Sequence, residues 1–194
     1  MEIAQGDPEQ GAALLKELSP QVRDPSDIWA LYYLKTDRPD QALELTQKQL
    51  YRVVHQTVTA LMTLTNPKVL PDPQRRHKVL TAYRAVVEVF GLPDSSDGLW
   101  LEWYLEQGDI KQAAACFVRY TESLLAPVRL PDPDLFAPGL TVQTGETPRA
   151  PAREMQRLAM KSLTEEDRYR PLWDFPACRD ALAQLKEAVA HAAS

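Results

Sequence analysis

Two stretches of the chain repeat each other at an offset of 71 residues, 28 against 99. Such self-similarity restricts the fold more than any single residue does, because each copy must form the same local unit. IWALYYLKTDRPDQA (28–42) lies over LWLEWYLEQGDIKQA (99–113), sharing Trp29/Trp100, Tyr33/Tyr104, Leu34/Leu105, Gln41/Gln112 and Ala42/Ala113, with Tyr32/Trp103 aromatic in both. Trp29, Tyr33 and Leu34 recur at i, i+4 and i+5, which is one face of a helix. TDRPD and EQGD then supply turn residues, and a second helix begins with a small side chain, Ala42 or Ala113, where two backbones must approach closely. Each copy therefore reads as two antiparallel helices joined by a tight turn. In the later copy Phe117 and Tyr120 continue the second stripe at i+4 and i+7 from Ala113.

These positions resemble the tetratricopeptide family. That family places an aromatic on the first helix, a glycine-containing turn four residues later, alanine five residues on, and a second aromatic four beyond that. Tyr104, Gly108, Ala113 and Phe117 fit position by position. In the earlier copy Tyr33 and Ala42 fit, while Asp37 stands for the turn glycine and Thr46 for the second aromatic. A third trace, GDPEQGAALLKEL (6–18), has Gly6, Gly11 and Leu15 in corresponding places. The small residue inside the first helix is kept as Ala30 and lost as Leu101, so the repeats are degenerate. An offset of 71 is about twice the family's period of roughly 34, which leaves room for one divergent repeat between the copies. The resemblance implies an all-α fold, a right-handed α-α superhelix of degenerate hairpins over 1–125.

Two further helical patterns fill the middle. Leu43, Leu50, Val54, Val58, Leu61 and Met62 are spaced helically within 42–64, as are Val79, Leu80, Tyr83, Val86, Val87 and Phe90 within 79–90. Prolines in 65–74 and the turn-forming 91–98 separate them from their neighbours. From 126 to 151 six prolines and two glycines in 26 residues interrupt any apolar period; the expectation is a long loop packed on the repeats through Leu135, Phe136 and Leu140. Helices over about 153–163 and 178–192 close the chain, and 152–194 is expected to cap the last repeat of the same domain. Between them Glu165, Glu166 and Asp167 follow Thr164, where acidic side chains suit a helix N-terminus.

Composition narrows the function. With 194 residues, 44% of them hydrophobic, the chain can bury a core without disulfides. Cys116 and Cys178 have no second Cys or His at ligand spacing and read as buried thiols in a reducing, cytoplasmic setting. No run approaches the roughly 18 apolar residues of a membrane span, and MEIAQGDPEQ does not read as a signal peptide. A formal charge of −5, from 22 Lys+Arg against 27 Asp+Glu, argues against a nucleic-acid surface. RRHK at 75–78 reads as a solvated helix start. There is no phosphate-binding glycine loop, no nucleophile elbow and no H-E-x-x-H, and His55, His77 and His191 lie far apart. The chain is expected to bind rather than catalyse, with no cofactor and no metal. Trp29 and Trp100 are expected in the core, Trp173 as an anchor for the last helix.

Only MEIAQ precedes Gly6, so the chain is expected to start inside a repeat: either a half-repeat was dispensed with, or a longer protein continues upstream. The run from 99 to the end, closing in RYRPLWDFPACRDALAQL, resembles the C-terminal half of bacterial regulators that join a Cro/C1-type helix-turn-helix domain to tetratricopeptide-like repeats. Pro171, Leu172 and Asp174 carry that likeness, followed by Leu182 and Leu185 on an amphipathic helix. It implies a regulatory domain that binds a peptide, a protein partner or a second copy of itself. The alternatives are a stand-alone scaffold, or a helical small-molecule binder or enzyme with its pocket under the 126–151 loop. The family's concave face is built from first helices, which implies a groove of Leu31, Leu34, Lys35, Glu102, Leu105 and Glu106. Glu102 and Glu106 exclude the family's clamp for carboxylate tails.

Overall fold

A computed structural model describes residues 8–18, 26–127, 131–132, 134–136 and 149–192. Gly6, Leu140 and most of the 126–151 loop lie outside them. Every regular element among the described residues is helical: α1 (Pro8–Leu18), α2 (Ser26–Lys35), α3 (Pro39–Leu64), α4 (Pro73–Val89), α5 (Ser96–Gln107), α6 (Ile110–Leu125), α7 (Arg149–Glu165), a 3-10 segment (Asp167–Asp174) and α8 (Pro176–Ala192). The chain divides into two compact units, Met1–Thr57 with Asp132–Gln143, and Val58–Pro131 with Thr144–Ser194. No helix of the described residues is long and apolar enough to cross a membrane.

Helix boundaries follow local chemistry. Asp72 caps α4, its Oδ1 accepting from the backbone N–H of Gln74 at 2.8 Å and Arg75 at 3.2 Å, with Pro73 at the first helical position where no N–H is needed. Asp109 caps α6 by accepting from the Gln112 N–H at 3.1 Å. Gly108 ends α5 with φ of +73°, and Asp37, its counterpart in the other copy, takes φ of +57°. Both turns thus use the left-handed region, glycine without strain and aspartate as one of the few side chains that enter it readily.

The second unit is centred on the α5–α6 hairpin. Ala113 and Phe117 have no solvent exposure, Leu101 and Cys116 1% each, and α6 in turn packs against α7, the 3-10 segment and α8. Leu172, Cys178 and Leu185 are buried in the same core, and Trp173 stands edge-on to Phe117 with ring centroids 5.6 Å apart. Asp97, on the first turn of α5, accepts from Arg84 of α4 at 3.1 Å and Arg119 of α6 at 3.0 Å, tying three helices at one end.

The first unit uses its repeat copy differently. α2 packs on α1 through Ala12 and Tyr32, with Trp29, Leu31 and Tyr33 half-buried around them. Tyr32 is therefore the buried aromatic of this copy, whereas Trp100 is the buried one of the other. Among the described residues α2 and α3 do not pack along their lengths as α5 and α6 do. The expected hairpin at 28–42 has its turn and its buried Ala42, but the position of Phe117 is held by an exposed threonine. The Thr46 hydroxyl donates to the Ala42 carbonyl of its own helix at 2.8 Å. Leu43 and Met62, placed on the apolar stripe of α3 by their spacing, are 58% and 44% exposed, while Val54 is buried. From the 126–151 loop, Phe136 is fully buried and edge-on to Tyr51 at 5.3 Å, both within the first unit.

This asymmetry is measurable. Phe117→Ala should cost about 3–5 kcal/mol of folding stability, whereas Thr46→Ala should stay within about 0.5 kcal/mol. Urea denaturation of the two variants reads the difference, and comparable losses would restore the equivalence of the two copies.

Candidate functional site

A cavity of about 500 Å³ lies entirely within the second unit, walled by the end of α3, by α4, α5, α6 and α7, and by the 3-10 segment. Its volume falls within the range of sites that hold small ligands or ligand fragments. Leu80, Leu99, Leu101 and Leu163 supply an apolar lining, and Trp103, Tyr120 and Tyr169 contribute aromatic rings. Four charged side chains also line it: Arg76, Glu102, Glu106 and Arg168.

The two carboxylates share one face because Glu102 and Glu106 are four residues apart on α5. They are held in different ways. Arg76 of α4, 5% exposed, places Nη1 2.6 Å from Glu106 Oε2. No other side chain or carbonyl among the described residues bonds this guanidinium, and its Nε has no hydrogen-bond partner. Glu102 instead accepts from the Tyr169 hydroxyl and from Arg168 Nη1. The Arg168 side chain is 50% exposed, reaches Glu166 Oε2 at 2.7 Å, and lies 4.9 Å over the Tyr169 ring.

Electrostatics follow from burial. Desolvation raises the Glu102 pKa, opposed by the Tyr169 hydroxyl and Arg168. Burial pushes the Tyr169 phenol far above its ordinary value, and its hydrogen bond to Glu102 adds to the rise. Tyr120 rises too, through burial first and the Glu102 charge second. Both phenols stay protonated through the neutral range, so the cavity presents neutral rings beside paired charges. Trp103 is fixed by donating its indole N–H to the Pro73 carbonyl at 3.4 Å, with the His77 ring 5.2 Å away. Gly98 lets the Tyr120 ring close over α5: a Cβ there would stand 3.0 Å from Tyr120 Cε2.

Of the groove residues expected from the sequence, Glu102 and Glu106 meet in this cavity, and Leu105 packs half-buried against the core beside them. Leu31, Leu34 and Lys35 lie on α2 in the first unit, Leu31 half-buried and Leu34 and Lys35 exposed. Arg76 corrects the reading of 75–78 as solvated. It precedes Leu80, Tyr83 and Val87 at helical spacing, all buried, so extending that stripe back one turn reaches the arginine. Of the acidic run expected at a helix N-terminus, Glu165 instead ends α7, while Glu166 and Asp167 stand at the start of the 3-10 segment, where the Glu166 side chain makes no capping bond. Cys116 and Cys178 are buried and their thiol pKa values raised by desolvation, so both stay protonated. No group of three metal-binding side chains comes together among the described residues. No family model matches the chain, and no curated protein or solved structure matches it.

The proton on Tyr169 gives a test of the Glu102 contact. A phenol whose folded pKa exceeds its unfolded value of about 10 contributes stability that is full below that pH and is lost as pH rises through the folded value. Ultraviolet titration of tyrosinate should show Tyr169, identified by difference with Tyr169→Phe, ionising after ordinary surface tyrosines. Glu102→Gln should bring that ionisation down part of the way, since burial remains. An unchanged titration in Glu102→Gln would remove the carboxylate as a cause.

Proposed function

We propose that the chain is a recognition module and not an enzyme, and that the cavity of its second unit receives a short segment of a partner protein. The observation that carries this is the pairing inside the cavity. Both carboxylates are neutralised by arginines and both phenols hold their protons firmly, an arrangement that reads charge and shape. Acid–base work instead favours groups that exchange protons near neutral pH. The apolar and aromatic lining beside these charges is the usual make-up of a site that anchors one or two side chains.

The finer fold reading belongs with this proposal: a right-handed α-α superhelix of degenerate tetratricopeptide-like hairpins, capped by α8. Its support is the α5–α6 hairpin, where Tyr104, Gly108, Ala113 and Phe117 occupy the places the resemblance assigns, and the packing of α8 on α6. The role we infer is that of a cytoplasmic regulatory domain of a bacterial Cro/C1-type regulator, supported by the likeness of residues 99–194. A helical small-molecule binder is the second reading, favoured by one observation, the size of the cavity, about 500 Å³.

Screening the whole chain against a random peptide library should select binders that Trp103→Ala weakens about tenfold, since aromatic anchors carry much of such binding energy. Binders indifferent to Trp103→Ala, or none at all, would count against the cavity as a peptide site. The regulator assignment is tested in the gene: an in-frame helix-turn-helix segment upstream of Met1 supports it, and a stop codon followed by a ribosome-binding site overturns it.

A further inference from the structure

The two ion pairs in the cavity differ in how easily they can be exchanged. Arg76 is almost wholly buried, and pulling Glu106 from it would leave an uncompensated charge in the interior, which is strongly unfavourable. Arg168 is half exposed and sits at the start of the 3-10 segment, with Glu166 outside the cavity as a second partner. Releasing it from Glu102 returns its guanidinium to water and to Glu166, and exposed pairs contribute little. Glu102 gains less from such a release: its side chain is 31% exposed against 50% for Arg168, and the Tyr169 hydroxyl is the one side-chain partner left to it among the described residues.

What Arg168 occupies is already a cation site. Its guanidinium meets a carboxylate and lies over the Tyr169 ring, with Trp103 and Tyr120 on the same lining. A carboxylate with neutral aromatic faces is the chemistry that holds an organic cation out of bulk water. With Arg168 withdrawn, the remaining lining charges are Arg76, Glu106 and Glu102, a net single negative charge that an incoming cation balances. An anion is disfavoured, since the Arg76 Nε lacking a partner is closed off from solvent and Glu106 already takes the same guanidinium.

We propose that the cavity binds a basic side chain, arginine or lysine, of a partner segment, and that Arg168 is the chain's own stand-in ligand, displaced from Glu102 when the partner enters. This rests on the reading of the cavity as a peptide-recognition site. Arg168 thereby sets a threshold, because the guest must compete with a group tethered beside the site.

The test uses N-acetyl-L-arginine amide and its neutral norleucine counterpart as probes, with NMR of the Trp103 indole and the Tyr120 and Tyr169 rings on the whole chain. The arginine probe should shift these resonances saturably and the norleucine probe should not. Arg168→Ala should tighten arginine binding about two- to fivefold, and Glu102→Gln should weaken it about tenfold or more. The direction at Arg168 discriminates, because a residue that merely supports the fold would weaken binding when removed. No saturable shift, equal binding of both probes, or weaker binding by a folded Arg168→Ala variant would overturn the proposal. If library peptides bind in a Trp103-dependent way without enrichment of basic residues, the cation assignment fails while the peptide reading survives. If neither peptides nor the arginine probe bind, both fail.

Discussion

The seam between α5 and α6 is the contact on which the second unit depends. Ala113 at zero exposure lets the two helix backbones close, and Phe117 one turn later fills the space this opens. Everything else in that unit is placed by the seam: α8 and the 3-10 segment cover the far side of α6, α4 lies on α5, and Asp97 ties Arg84 and Arg119 at the start of α5. The cavity is a consequence of this packing. It remains because α5 presents two glutamates, and charged side chains cannot be pressed into an apolar contact without partners.

The contrast between the two copies shows what a repeat pattern does and does not determine. Trp29, Tyr33 and Ala42 reproduce the helix and turn of the later copy, down to a left-handed residue at Asp37 where Gly108 stands. Local geometry is therefore carried by spacing. Packing is not, because one substitution removes the wedge: Thr46 satisfies its hydroxyl on its own helix and gives a neighbouring helix nothing to close upon. Tyr32 then turns its burial toward α1 instead.

The helices and most of their ends were legible in the sequence because their causes are local. Asp72–Pro73 and Asp109 start helices, and Gly108 stops one. The candidate site was half legible. Glu102 and Glu106 could be placed on one helical face from their spacing, but their partners are Arg76, 26 residues before Glu102, and Arg168, 66 residues after it. Nothing in a linear reading brings these together, since tertiary packing alone selects among 22 basic residues. Arg76 was the recoverable miss. A charge on a core stripe is a stronger signal than a charge in a basic run, because burial demands a partner and so predicts a carboxylate nearby.

That demand also explains why the cavity holds one fixed pair and one loose one. Arg76 on α4 and Glu106 on α5 belong to helices that pack directly on each other, so their pairing is completed by folding and persists with it. Arg168 comes from a short 3-10 segment between α7 and α8, and its guanidinium reaches Glu102 from the solvent side. Desolvation acts on Glu102 whether or not Arg168 is present, so the carboxylate keeps its need for a cation at the cavity wall when the arginine leaves. A partly buried carboxylate with a removable partner and aromatic walls favours positive charge, and the α5 face that presents it is fixed by the same hairpin that builds the core.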